Sequence, residues 1–224
     1  MNKTALLLAF AGLATAGFLA GCSGDAHQRQ RIESTAGDSR QNYARLASRI
    51  DTDLGKLQAA DNAPGTPSQY RDIVREVASD LRSLIADADA VACDMRDANE
   101  ARIAHLNTDA AEHADRTDTG NAATRALGLD AASRQASRIE KLRDYQNTFC
   151  EDASKLRLAL EKARGNLSDI DNALSANLED ETVRLTKGAL GKAIAALKDA
   201  KSDIRSLQDD IVKIRDYQPQ SIGR

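Results

Sequence analysis

The stretch TPSQYRDIVREVASDLRSLIADADAVACDMRDA, residues 66–98, decides the fold. Its apolar residues recur at alternating spacings of three and four, which is the pattern of a helix with one buried stripe. These stripe residues are Tyr70, Val74, Val77, Leu81, Leu84, Ala88, Val91, Met95 and Ala98. The helix should begin beside Thr66, because Thr as N-cap, Pro67 next and Gln69 three residues on form a capping box.

Three further stripes of the same kind flank this one and predict an all-α chain. The first is Tyr43, Leu46, Ile50, Leu54 and Leu57. The third is Ile139, Leu142, Phe149, Ala153, Leu156, Leu160, Ala163, Leu167, Ile170 and Leu174. The fourth is Leu190, Ile194, Leu197, Ile204, Leu207, Ile211 and Ile214.

Short links between long helices force neighbouring helices to run antiparallel, so each pair of stripes can be aligned. Aligning the second and third stripes sets Val74 against Ile170 and centres their link on Gly120-Asn121, a turn signal. The first and second stripes are centred on the Pro- and Gly-containing residues 64–67. The third and fourth are centred on Thr182, which has no Gly or Pro beside it, so one kinked helix is the alternative there.

We therefore predict an elongated, antiparallel, up-down four-helix bundle with coiled-coil seams over residues 38–218. The first and fourth helices are short, so the second and third should continue beyond them as a two-helix hairpin arm, about residues 97–145. This arm would project roughly 30–38 Å. Its tip, residues 108–137, is rich in Ala, Asp, Thr and Arg, and is expected either to dock a partner helix or to fray. Residues 219–224 should form a loose C-terminus.

Residues 1–21 have the three parts of a secretory signal, with Lys3 at the start and an apolar centre from Ala5 to Phe18. This centre is too short, and too rich in Gly and Ala, for a permanent membrane span. The leader ends in Leu19-Ala20-Gly21-Cys22, which resembles the lipobox of bacterial lipoproteins. The alternative is an ordinary signal in which a Cys happens to follow Gly21.

The lipoprotein resemblance covers the leader alone and implies a location. Cys22 would become the first residue of the mature chain, with diacylglycerol on its sulfur and an acyl group such as palmitate on its nitrogen. Ser23, rather than Asp, follows Cys22, which implies the outer membrane. The expected orientation faces the periplasm, with surface exposure as the alternative. Residues 22–37 are polar and unpatterned, so we predict a flexible tether there.

The chain has three cysteines, so acylation of Cys22 leaves Cys93 and Cys150 as an even pair in an oxidising compartment. The helix alignment places these two at nearly the same height on neighbouring helices, which predicts a structural disulfide where the arm begins. Heptad counting, however, puts Cys93 beside the seam. Two small apolar residues that never pair are the alternative.

One cluster resembles a metal site. His105, Asp109 and His113 are spaced by four, so they share one helix face, and imidazole and carboxylate both bind zinc. The alternative is a solvated polar face, since no second helix offers a matching His.

The charge distribution and the absence of catalytic motifs narrow the range of functions that we expect. The net charge of −3 is spread along the chain with no basic stripe, which argues against nucleic acid as a partner. We find neither a Ser-His-Asp arrangement nor a Gly-rich phosphate loop, and we expect no enzyme and no cofactor. The favoured role is a non-catalytic scaffold or interaction protein that is membrane-anchored through Cys22 and has a protein partner in the envelope. The alternative is a helical bundle that carries a lipid or small ligand. The third hypothesis is a metal-dependent site at His105 and His113.

Overall fold

The computed structural model describes residues 20–117 and 122–217. Over these residues it consists of four α-helices without strands: α1 (Ala20–Asn62), α2 (Pro67–Thr117), α3 (Ala122–Ala176) and α4 (Asp180–Asp216). This architecture confirms the predicted all-α, four-helix class. Most of the leader (residues 1–19), the expected turn at Gly120-Asn121 and the expected loose C-terminus (residues 219–224) lie outside the described residues.

The capping box at the start of α2 is confirmed. The Gln69 backbone N–H donates to Thr66 Oγ1 at 3.3 Å, and the Thr66 N–H donates to Gln69 Oε1 at 3.0 Å. Gly65 precedes this box with φ of 65°. The backbone angle therefore favours glycine, and a Cβ atom there would also lie 2.6 Å from Gln69 Oε1, so it would displace the Gln69 side chain from the capping box.

The helices form an up-down body in which each packs against the next and α1 also packs against α4. Polar pairs show the register of α2 and α3. Arg71 Nε lies 2.9 Å from Asp171 Oδ1, and Asn99 Nδ2 donates to Gln146 Oε1 at 2.8 Å. Both pairs fall within about two residues of the alignment that the apolar stripes predict, so that register is confirmed.

The predicted flexible tether is wrong over residues 22–37, because α1 begins at Ala20 and runs through this segment. Ile32 and Ala36 are buried in the main core, and Ser39 is buried as well. These residues continue the stripe of Tyr43 backwards at spacings of four, three and four. Only Ile32 and Ala36 continue the apolar stripe in this segment. The polar residues around them therefore hid the helix from sequence analysis.

The link between α3 and α4 lies at residues 177–179 rather than at Thr182, so the two helices are separate. Thr182 is buried inside α4. Because the link has three residues, the last turn of α3 is level with the first turn of α4. The alignment of these two helices therefore differs by about one heptad from the one centred on Thr182. The sequence signal for the start of α4 is a pair of acidic residues rather than Gly or Pro. Asp180 and Glu181 occupy the first turn, where negative charge stabilises a helix N-terminus.

The core is formed by the four predicted stripes. All of their residues are buried except Ala153 and Ile194, which are half-buried and pack against the core. Most of these side chains are Leu, Ile, Val and Ala, which pack closely along antiparallel seams. Within the part of the chain described, none of the helices combines the length and apolar character that crossing a membrane requires.

The arm lies at the same end of the molecule as the start of α1. The fourth helix ends at Asp216, beside Arg102 of α2 and Tyr145 of α3. Beyond this level a separate apolar cluster is built by α2 and α3, with Tyr217 packed against it: Ile103, Leu106, Ile139 and Leu142. Since α1 runs antiparallel to α2, its N-terminus also points toward the arm.

Leu160 and Leu158 test the packing with one substitution type on one helix. Leu160 is 1% exposed and Leu158 is 55% exposed on α3. We expect Leu160→Ala to lower the free energy of unfolding by about 2–5 kcal/mol, because it removes buried methyl groups and leaves a cavity. Leu158→Ala should change it by less than about 0.5 kcal/mol. Urea unfolding followed by circular dichroism measures both, and equal losses would contradict the assigned core.

Candidate functional site at the neck of the bundle

The four-helix body ends at a set of polar and aromatic residues that we call the neck: Asn99, Arg102, Tyr145, Gln146 and Tyr217. Arg102 is 6% exposed and donates from Nη1 to the Ile214 carbonyl at 2.9 Å and from Nη2 to the Tyr217 carbonyl. The last carbonyls of a helix have no partner within it, and they carry partial negative charge. A cation on α2 therefore holds the C-terminus of α4.

Asn99 fixes the register of α2 and α3 at the neck. It is fully buried, and its Nδ2 donates to Gln146 Oε1 at 2.8 Å and to the Leu142 carbonyl at 3.4 Å. Gln146 Nε2 in turn donates to Glu100 Oε1 at 3.1 Å. A buried Asn in a helix seam favours one alignment, because slippage would leave its Nδ2 donor unpaired.

An aromatic pair covers the neck from the side of α4. The Tyr145 and Tyr217 rings meet edge to face, with centroids 5.7 Å apart at 78°. Lys141 Nζ lies 5.9 Å from the Tyr145 centroid and 5.7 Å from the Tyr217 centroid. These distances suit cation–π attraction. The ammonium group therefore adds to the attachment of the end of α4 to α3.

The predicted metal ligands are only partly described. His105 Nε2 lies 3.5 Å from Asp109 Oδ2, one turn along α2, without a hydrogen bond between them. The side chain of His113 lies outside the described residues. Among the side chains that are described, no group of three or more His, Cys, Asp or Glu residues could hold a metal ion. The metal site at His105, Asp109 and His113 stays a prediction.

Cys93 and Cys150 are unbonded thiols, so the predicted disulfide is not formed in this structure. Cys93 is exposed and Cys150 is half-buried, in agreement with the heptad position that puts Cys93 beside the seam. Both nonetheless lie near Tyr43, whose hydroxyl is buried without a hydrogen-bond partner. Burial, followed by Asp89 and the two thiols, raises the pKa of Tyr43. Cys93 also acts electrostatically on Cys150, so the two thiols lie in the same region of the bundle.

A buried carboxyl group lies where α1 faces α2. Asp53 is 1% exposed, and its Oδ1 lies 3.7 Å from Lys56 Nζ. Asp80, on α2, is held by Arg49, which also pairs with Asp87 at 2.6 Å. Burial and the Asp80 charge raise the pKa of Asp53 to about 7, while Lys56 lowers it.

Sequence reasoning missed the neck, although part of its signal is visible. Arg102 follows Met95 by seven residues, so a charged side chain occupies a seam position. Past this point the buried positions of α2 move to Ile103 and Leu106. A seam that advances by 3.5 residues drifts around a helix of 3.6 residues per turn, and α4 ends at this level, so the packing partners of α2 also change. The carbonyl partners of Arg102 belong to another helix, so no local pattern indicates them.

Comparison of the chain with protein-family models, with curated proteins and with solved structures finds no match.

Asp53 predicts a pH dependence of stability. The pKa of Asp53 is raised in the folded state, so between about pH 4 and 7 the folded chain holds a proton that the unfolded chain has lost. The free energy of unfolding should therefore fall with rising pH in this window, by up to about 1.4 kcal/mol per pH unit. Above pH 7 this contribution is lost.

Unfolding of Asp53→Asn at pH 5 and pH 8 measures the effect. The variant cannot ionise at this position, so its stability should change less between the two values than that of the unmodified chain. Asp72→Asn, which changes an exposed carboxylate of α2, is the matched control and should behave like the unmodified chain. Parallel pH profiles for all three proteins would contradict the buried carboxyl assignment.

Proposed function

We propose that this chain is an outer-membrane lipoprotein that faces the periplasm and acts as a non-catalytic helical scaffold in an envelope assembly. The observation that carries the proposal is a stiff rod whose anchor motif stands at one end: Cys22 lies in the first turns of α1. Its longest helix, α3, has 55 residues and measures about 80 Å. Such a rod suits a spacer or docking element.

The helix directions give the scaffold an orientation. Once acylated at Cys22, the chain would hold the arm beside the lipid leaflet. The links at residues 63–66 and 177–179 would then form the end farthest from the membrane. Leu178 and Leu185 at that end are 47% and 75% exposed. This end is where we propose that a protein partner in the envelope binds.

Labelled palmitate tests the anchor. Cells that express the unmodified chain should incorporate the label into it, and Cys22→Ser should abolish incorporation. Cys93→Ser and Cys150→Ser are matched controls that should keep the label. Failure of the unmodified chain to take up label, or equal uptake by Cys22→Ser, would contradict the proposal. The same cells, after crosslinking and pull-down, should yield a partner that Leu185→Asp loses.

We also propose that Cys93 and Cys150 form a disulfide when the protein meets an oxidant. Each thiol loses a proton, and the two sulfurs give two electrons to oxidised glutathione as their S–S bond forms. The S–S bond of glutathione breaks, and its two halves take up the two protons and leave as reduced glutathione. The electrostatic influence of Cys93 on the pKa of Cys150, and of both thiols on that of Tyr43, supports this pairing. The bond would join α2 to α3 on the body side of the neck, where it would limit separation of the two helices.

Oxidation of the purified protein tests the bond. Treatment with oxidised glutathione should give a peptide containing both cysteines on mass mapping. It should raise the free energy of unfolding by up to about 4 kcal/mol. Cys93→Ser should show neither effect. Mixed disulfides with glutathione at both thiols, without the internal bond, would contradict the pairing.

A further inference from the structure

A groove of about 500 Å³ lies between α2 and α3, within the body of the bundle. Arg75, Ser79 and Arg82 line it from α2, and Arg164, Ser168 and Asp171 line it from α3. Its volume lies in the range of small-molecule sites in proteins. Three guanidinium groups and one carboxylate give it a net positive charge, whereas the whole chain has a net charge of −3.

The carboxylate in the groove already has its partners. Asp171 Oδ1 accepts from Arg71 Nε at 2.9 Å and from Arg75 Nε at 2.7 Å. Although burial raises the pKa of Asp171, these two arginines hold it below the ordinary value, so the carboxylate remains charged and paired. The negative charge of Asp171 is therefore not available to neutralise the remaining arginines.

Arg82 and Arg164 are left without a hydrogen-bond or ion-pair partner among the described residues. They face the same groove from opposite helices. Exposed arginines such as Arg157 pair with carboxylates, whereas Arg82 and Arg164 lie together in one groove, so their positive charges add there. Two guanidinium groups on either side of one groove present planar donors of the kind that bind phosphate oxygens in pairs.

The wall of the groove has room for a ligand. Gly165 lines it, and a Cβ atom built at Gly165 would meet nothing within 4 Å. The Ser79 and Ser168 hydroxyl groups add hydrogen-bond donors beside the guanidinium groups. The groove thus combines positive charge, neutral donors and open space.

We propose that this groove binds a small phosphate-bearing ligand, with the phosphate between Arg82 and Arg164. The ligand is either a soluble phosphate compound or the headgroup of an anionic phospholipid, which share this chemistry. The proposal does not depend on the anchor at Cys22, so it can fail or succeed separately from the proposed function.

Calorimetric titration of the full chain in neutral-detergent micelles tests the site. The probes are pyrophosphate and micelles doped with phosphatidylglycerol. We expect saturable binding of pyrophosphate that weakens as salt is raised from 50 to 300 mM, as screening of charges requires. Binding of the doped micelles in place of pyrophosphate would assign the ligand to the headgroup class. Binding of neither probe would overturn the proposal.

Three variants separate the site from general charge effects. Arg82→Gln with Arg164→Gln should weaken binding at least about tenfold, since two charge-assisted contacts are lost. Arg205→Gln removes an exposed arginine of α4 outside the groove and should change affinity less than about twofold. Gly165→Leu fills the open space without changing charge and should also abolish binding.

Circular dichroism keeps the comparison interpretable, because all three variants should retain the helical spectrum of the unmodified chain. If Arg205→Gln weakens binding as much as the groove variant does, the association is general charge attraction and the proposed site is wrong. If Gly165→Leu binds as well as the unmodified chain, the ligand does not occupy the groove and the proposal is equally overturned.

Discussion

Burial of one narrow apolar stripe on each helix is the constraint on which the whole structure depends. Helices of 37 to 55 residues with mostly polar faces gain most of their stability from packing of the apolar face rather than from the isolated helix. The stripes of Leu, Ile, Val and Ala are removed from water only when the four helices pack around one shared core. Aromatic residues are 3% of the chain, so small aliphatic side chains set close spacing between the helices. The elongated, antiparallel arrangement follows from this shared seam.

At the neck α4 ends, so fewer helices share the apolar core. Polar contacts replace part of the apolar packing there. The end of α4 would expose its last carbonyls against an apolar surface, and Arg102 supplies the missing donors. Asn99 gives the α2–α3 pair a fixed alignment at the same level. Leaving the Asn99 Nδ2 or the Arg102 guanidinium buried without an acceptor costs free energy, so these groups favour a body that ends at this level.

The sequence predicted those features that depend on local chemistry or on repeated spacing. The capping box at Thr66 was predicted correctly because it is a short local motif. The alignment of α2 with α3 was predicted correctly because it rests on many equivalent stripe positions. The helical residues 22–37 were mistaken for a tether because only Ile32 and Ala36 continue the stripe. The link after α3 was misplaced because Asn177 and an acidic helix start, rather than Gly or Pro, form it. The neck and the arginine groove join distant segments, so no single pattern in the sequence indicates either one.

The pair formed by α2 and α3 is the element in which the proposed properties meet. Both helices run without interruption from the groove at Arg82 and Arg164, past Cys93 and Cys150, and through the neck. From Arg82 to the neck at Arg102, α2 covers about 30 Å. A ligand held between these helices, or a bond between the two thiols, would bear on the same pair that builds the arm. Because packed helices transmit strain through close contacts, either event would change how readily the two arm helices separate. The arm is therefore best regarded as the free end of this helix pair rather than as an independent appendage.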